Sequence, residues 1–247
     1  MVTVFDLADE KAEQMGAVLL ATEKGSVVES TRNDIIYTSL EEDIQLAFEK
    51  ENSFSKELVL NGQSKQAFIE FFQIPIALVI VGAGNDAIPL LEMGNLLGWE
   101  VTVTDGRKTH AKTDRFINAC QVLVSKPESI LEQVQVDSRT GFVLMTHNYQ
   151  YDLQLLKALI KIEIPYIGVL GPKKKLQKML NDIETGGQKL SEAQLAKIYG
   201  PVGLDIGAET PEEIASSIVA EIQTVFNKKS AQMLKWKKDS IHSNNLI

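Results

Sequence analysis

Ile76-Ala77-Leu78-Val79-Ile80-Val81-Gly82-Ala83-Gly84-Asn85-Asp86-Ala87 is the stretch whose reading decides the fold. Its apolar run is too short and too β-branched for a core helix and reads as a strand buried on both faces. It breaks into Gly-x-Gly-x-x-Ala, and a helix-like segment follows. Gly82 lets the chain turn sharply. Gly84 lacks the Cβ that would hold a phosphate off the backbone, and Ala87 is small enough for the helix to pack on the strand. Unpaired N–H groups at the helix start, together with the helix dipole, favour an anion above the turn. Gly82, Ala83, Gly84 and Asn85 are therefore candidate residues for a nucleotide-like or phosphate-bearing ligand. The competing reading is a glycine-rich turn used only for tight packing.

Working outward, a second strand, Glu100-Val-Thr-Val-Thr, ends in Asp105. That is about twenty residues beyond the loop, where a dinucleotide-binding unit carries an acid for a ribose hydroxyl. Gly98 sits where a helix C-cap belongs. From Ile76 onward strands alternate with helices, which argues for a parallel sheet covered on both faces. Strands are expected at 76–81, 100–104, 121–124, 141–146 and 165–170. Helices are expected near 85–97, 111–118, 127–133, 150–161 and 173–184, followed by 191–199 and 211–226. Thr210, Pro211 and Glu213 form a capping box with proline at the first helical position.

Residues 1–72 read as a small α/β unit. Ala17–Thr22 is strand-like, Glu23–Ser26 a turn and Asp34–Thr38 a short strand. Ser39 is read as the cap of a helix to about Glu49, and Lys56–Leu60 as another strand. The apolar Phe68–Phe72 before Pro75 sets a boundary at about residue 73. Residues 73–226 form the larger domain. Residues 227–247 are a lysine-bearing tail that reads as a frayed end, with Trp236 available to dock on a partner.

The formal net charge of −8 disfavours nucleic acid or an anionic membrane as the main partner. No apolar segment is long enough to span a bilayer, and the first residues lack a signal-peptide pattern. Cys120 is the only cysteine, so there is neither a disulfide framework nor a cysteine-based zinc cluster. It reads as a small buried hydrophobe rather than a nucleophile, and the cytoplasm is the natural compartment.

Parallel α/β sheets bind ligands beyond the carboxyl ends of their strands. Besides the glycine loop, Asp105, Arg107, Thr146, His147, Gly171 and Lys173 fall at such ends. His147 reads as a ligand contact before an acid–base catalyst or a loop cap. Asp152 reads as a first-turn acid complementing a helix dipole. Lys173-Lys174-Lys175 either reaches a phosphate or is a solvated helix start. In Gly203-Leu-Asp205-Ile-Gly207, two glycines flank Asp205, as if the backbone were shaped around a ligand or the first domain. No Gly-x-Ser-x-Gly elbow, His-Glu-x-x-His helix or clustered metal ligands appear.

The motifs occur in a specific order. They are Gly82-Ala-Gly-Asn-Asp-Ala, then Val-Thr-Val-Thr-Asp105-Gly-Arg107, Met-Thr146-His147-Asn-Tyr-Gln-Tyr-Asp152 and Tyr-Ile-Gly168-Val-Leu-Gly171-Pro-Lys-Lys. Gly200-Pro-Val-Gly203-Leu-Asp205-Ile-Gly and Thr210-Pro-Glu-Glu-Ile follow. Over residues 76–223 this set resembles the XdhC/CoxI family, accessory proteins of xanthine dehydrogenase and related molybdenum hydroxylases. The resemblance implies a Rossmann-like C-terminal domain behind a smaller N-terminal one. It implies a chaperone that binds and protects the molybdenum cofactor (molybdopterin), supports its sulfuration and helps insert it into the apoenzyme. The implied partners are that enzyme, a cysteine desulfurase and a second copy in a homodimer. The family's Gly-Gly-Cys-hydrophobe-Glu motif has its counterpart at Tyr37-Thr38-Ser39-Leu40-Glu41, with Ser39 for cysteine, so that soft metal ligand is absent. The alternatives are an NAD(P)-dependent oxidoreductase and a nucleotide-binding regulatory protein without turnover.

Overall fold

The computed structural model describes residues 1–5, 16–22, 27–29, 34–60 and 62–238. It divides into two compact units, Met1–Ile74 and Pro75–Lys237. The turn expected at residues 23–26 lies outside the described residues.

The first unit contains β1 (Val2–Phe5), β2 (Gly16–Ala21), β3 (Val27–Glu29), α1 (Asp34–Lys50), β4 (Phe54–Leu60) and β5 (Gln63–Ile69). Its sheet has the order β3-β2-β1-β5-β4, with every pairing antiparallel. The sequence reading has no counterpart of β1, β3 or β5. Along β5 the polar run Gln63-Ser64-Lys65-Gln66 hides the strand, and only Ala67 and Ile69 are buried. Its pairing is fixed instead by the hairpin, in which Leu60 opposes Gln63 and Gly62 takes φ +80°.

Helix α1 corrects two expectations. The expected strand 34–38 is the first part of this helix, and Ser39 lies within it, exposed, rather than capping it. Ile36, Leu40, Ile44 and Ala47 recur at helical spacing, and all are buried against Val2, Val4, Leu58 and Ile69. That stripe outweighs the strand propensity of the Ile-Ile-Tyr-Thr segment.

The second unit runs β6 (Ala77–Val81), α2 (Ala87–Leu96), β7 (Glu100–Asp105), β8 (Gln121–Val124), α3 (Ile130–Gln133), β9 (Thr140–Leu144), α4 (Tyr149–Leu159), β10 (Tyr166–Val169), α5 (Lys173–Thr185), α6 (Glu192–Ala196), β11 (Ile198–Tyr199) and α7 (Pro211–Phe226). Its six strands are all parallel, in the order β11-β10-β9-β6-β7-β8. This is a Rossmann-like sheet. Alternate residues of β6 enter two cores. Leu78 and Ile80 pack with Leu90, Val103, Ile218 and Ile222 on the side of α2 and α7. Val79 and Val81 pack with Phe142, Leu155, Leu159 and Met179 on the side of α4 and α5. Two-sided burial explains the unbroken apolar run.

Local signals set the helix ends. Gly98, at φ +73°, donates to Asn95 O, and Trp99 donates to Gly94 O, closing α2 in a Schellman motif. The Thr210–Glu213 capping box starts α7. No helix forms at 111–118, however. Only Ala111 and Phe116 are buried there, five positions apart and off any helical stripe, and the segment is a series of turns. The expected helix 191–199 ends at Ala196, and Ile198–Tyr199 joins the sheet edge beside β10. Cys120 is exposed, not buried. Its N–H donates to Val101 O, and the thiol stands at the outer start of β8. In the tail, Leu234–Trp236 forms a 3-10 turn with Leu234 and Trp236 exposed.

Candidate functional site

The strand order reverses between β6 and β9, and a ligand site is expected beyond the carboxyl ends of these two neighbours. The glycine loop leaves β6 and the Thr146–Asn148 turn leaves β9. Gly82 has φ +125°, and a Cβ there would lie 2.5 Å from Met145 O. Any side chain would push the two strand exits apart. Gly82 N donates to Thr104 O at 2.7 Å, which ties the loop to β7 as well.

Two charged side chains brace the loop. Asp105 Oδ2 accepts the Ala83 N–H at 2.8 Å. Arg115 donates from Nη1 to Ala83 O and His110 O, and from Nη2 to Asn85 Oδ1, each at 2.8 Å. Asp105 is buried and saturated. Its Oδ1 accepts from Arg107 N and Nε, and its Oδ2 from Arg107 Nη2 in addition to Ala83. These four bonds fill the acceptor sites of a carboxylate. Burial by itself would raise the Asp105 pKa. The Arg107 guanidinium and the backbone donors outweigh it and hold the carboxyl below its ordinary value. The same pairing raises the pKa of Arg107. Nearby, burial and the Asp105 charge push the Tyr151 phenol up to about 12, and its hydroxyl donates to Ser125 O. As placed, Asp105 organises the loop, and a ligand hydroxyl would have to displace Arg107 to reach it.

On the other side of the switch point, Thr146 Oγ1 donates to Asp152 Oδ1 at 2.6 Å and accepts from Asn148 N. Asn148 caps α4 through its side-chain oxygen. Asp152 does lie in the first turn of that helix, but its carboxylate is fully buried and does more than complement a dipole. Its Oδ2 accepts from Lys175 Nζ at 2.8 Å, and Lys175 also donates to Leu170 O. Asp152 thereby ties the exit of β9 to that of β10. Of the three lysines opening α5, Lys173 and Lys174 are exposed, and Lys175 turns inward. Gly171, at φ +123°, leaves room for the Lys175 chain, whose Cδ would lie 3.0 Å from a Cβ there. His147 takes φ +58° and is 72% exposed, and its Nε2 lies 3.1 Å from Asp86 Oδ2.

Asp205 stands apart from these contacts and is exposed. Of its flanking glycines, Gly203 is fitted against α7, whereas a Cβ on Gly207, at φ +75°, would meet nothing within 4 Å. Gly203 has φ +103°, and a Cβ there would overlap Ser217 Oγ of α7. Its N–H donates to Glu221 Oε1, which also accepts from the buried Tyr166 hydroxyl. The Gly203 end of the segment is thus seated on α7.

An open cleft of about 350 Å³ adjoins the loop, lined by Gly84, Asn85, Thr109, His110 and Arg115. Sequence reading singled out Gly84 and Asn85 but missed Thr109, His110 and Arg115. The signal was present in Arg107-Lys108-Thr-His110-Ala-Lys112-Thr-Asp-Arg115, a basic segment in an acidic chain. It was obscured by the expectation of a helix there. Glycine backbone, hydroxyl, imidazole and guanidinium together suit an anionic oxygen-rich group such as a phosphate. Among the described residues no group of three His, Cys, Asp or Glu side chains is placed to hold a metal ion, and no helix is long and apolar enough to cross a membrane.

The fold and the loop define a Rossmann-type α/β protein with a candidate anion-binding cleft between the glycine loop after β6 and the segment after β7. The chain belongs to the XdhC family, because the model of the XdhC Rossmann domain matches residues 78–222. It is 34% identical over 160 residues to a probable xanthine dehydrogenase subunit of Bacillus subtilis (strain 168), covering 65% of this chain and 46% of that protein. It is 31% identical over 166 residues to the uncharacterized protein YqeB of Escherichia coli (strain K12), covering 67% and 30%. The matched region thus spans less than half the length of either relative. A crystal structure from Bacillus halodurans, described as a xanthine dehydrogenase, superposes with a TM-score of 0.56 at 19% identity, covering 93% of this chain and 91% of that one. That likeness concerns the fold.

Proposed function

We propose that this chain is an accessory protein of a xanthine dehydrogenase-type molybdenum hydroxylase, binding and protecting molybdopterin and assisting its sulfuration and insertion. The observation that carries the reading is the arginine-bearing cleft against the glycine loop of an XdhC-family Rossmann domain. The phosphate of the cofactor fits the Thr109, His110 and Arg115 side of that cleft. The residues fit direct metal coordination less well. Ser39 replaces the family cysteine and lies in a helix, and Cys120 is far along the chain, in the other unit. In this reading the protein holds the cofactor through its pterin and phosphate. A client hydroxylase, a cysteine desulfurase and a second copy of the chain are its partners.

Chemical logic favours a carrier over an enzyme. His147 has its imidazole against Asp86, at the solvent-facing side of the site, and Asp86 is the one acid–base group aligned with it among the described residues. The NAD(P) alternative meets a saturated Asp105 where it needs a free ribose acceptor.

The test has two parts. The purified protein is denatured and its small molecules identified by mass spectrometry; molybdopterin is the expected finding, and a stoichiometric dinucleotide overturns the reading. In a strain lacking the gene, the client hydroxylase should accumulate as protein without active cofactor. Full client activity in that strain, with no paralogue to substitute, would remove the accessory role.

A further inference from the structure

In a dinucleotide-binding unit the second glycine of the loop lacks a side chain so that the pyrophosphate can approach its backbone. In this protein that space is already taken. An ideal Cβ on Gly84 would overlap Asp86 Oδ1, so the Asp86 carboxylate lies against the face of Gly84 that the glycine leaves open. Asp86 is the N-cap residue of α2, yet its side chain accepts no capping hydrogen bond from the helix. It folds back over the loop instead.

Its position is held from across the switch point. His147 Nε2 stands 3.1 Å from Asp86 Oδ2, with the His147 backbone in the left-handed region that non-glycine residues seldom adopt. Asp86 keeps only 27% of its side-chain exposure, although it belongs to a surface loop. A negative charge at the start of a ten-residue helix is favourable, and this one is supplied by the chain itself.

We infer that Asp86 is a specificity-determining residue: its carboxylate occupies the phosphate position of the glycine loop and bars a dinucleotide pyrophosphate from it. A pyrophosphate brought to Gly84 would meet a fixed like charge within contact distance. A ligand phosphate is thereby diverted to the Thr109–His110–Arg115 side of the cleft, whose lining includes the Arg115 guanidinium. The loop keeps the glycine spacing of a nucleotide fold and has exchanged its ligand for an internal one. This inference concerns the same site as the molybdopterin reading and does not depend on it.

The test uses the full-length protein and NAD+ as the probe, titrated by calorimetry at neutral pH. Asp86→Asn preserves shape and removes the charge, and Asp86→Ser also shortens the side chain. Both should bind NAD+ at least about tenfold more tightly than the unaltered protein, a change of about 1.4 kcal/mol. Adding Gly84→Val to Asp86→Asn should abolish that gain, which locates it at the loop. Circular dichroism and thermal melting confirm that each variant is folded. If both Asp86 variants bind NAD+ no better than the unaltered protein, the inference falls. It falls equally if the gain survives Gly84→Val. Bound pterin is measured on the same samples. Pterin without a gain on Asp86 substitution overturns this inference alone, and a gain without pterin overturns the cofactor reading alone.

Discussion

Replacing Lys175 with Met should destabilise the Rossmann-like unit by about 3 kcal/mol or more, because it strands a buried charge. Asp152 is fully buried, and its two oxygens accept one from Thr146 and the other from Lys175. Lys175 is itself 18% exposed, so the pair sits at the edge of the interior rather than in its centre. Removing one member of a buried pair costs about 3–5 kcal/mol, since the remaining charge keeps its desolvation penalty and loses its counter-ion. The partial exposure of Lys175 argues for the lower end. The methionine chain retains most of the packing of the lysine stem, so little of the loss comes from a cavity. For a unit of this size about 3 kcal/mol lowers the melting temperature by roughly 6–12 °C. Both tryptophans, Trp99 and Trp236, lie in the second unit, and Trp99 is buried, so tryptophan fluorescence during urea unfolding reports on that unit alone. The double variant Lys175→Met with Asp152→Leu should recover much of the loss, because it removes the stranded charge. A single-variant cost below about 1 kcal/mol, the range of exposed ion pairs, would refute the placement of Asp152 in a dry interior. So would a double variant no more stable than Lys175→Met.

Three further outcomes test other parts of the structure. Gly82→Ala should cost at least about 3 kcal/mol in urea unfolding, because it adds backbone strain at φ +125° to an overlap with Met145 O that no rotamer relieves; a cost near zero would mean that β6 and β9 do not exit so close together. Asp105 has a depressed folded-state pKa, so its contribution to stability is complete above the ordinary value of 3.8 and disappears as pH falls through the lower folded-state value; Asp105→Asn should lose stability at neutral pH and flatten the acid limb of a stability–pH curve, whereas a parallel, merely shifted curve would count against the Asp105–Arg107 pairing. Leu40→Ala should destabilise the first unit by about 2–5 kcal/mol, as followed by circular dichroism, while the exposed Ser39→Ala changes it far less; similar effects of the two would contradict the face that α1 buries.

The contrast between the two units shows where sequence is informative. In Ile76–Ala87 the apolar run, the glycines and the helix that follows all point to one local structure, so strand, turn and helix agree. Gly98 and the Thr210–Glu213 box likewise act within a few residues and are readable as chemistry. In Asp34–Thr38 local propensity and burial disagree. The β-branched residues favour a strand, while the stripe that continues through Leu40 and Ile44 finds a sheet to cover and makes a helix. The strand β5 carries almost no apolar signal and exists because β1 and β4 pair with it on either side.

By itself the sequence determined the parallel α/β architecture of the second unit, the position of the glycine loop and the set of strand ends where polar residues gather. These follow from periodicity and from the backbone freedom of glycine, which are local properties. Only the tertiary structure decided what those polar residues do. It set the Arg107 fork on Asp105, turned Lys175 rather than Lys173 toward Asp152, and seated Gly203 against α7. It brought Arg115, thirty residues downstream of Asn85, back to clamp the loop, and laid the Asp86 carboxylate over Gly84 with His147 beside it. Charge and hydrogen bonding depend on distances of a few ångströms between residues far apart in the chain, and only folding sets those distances.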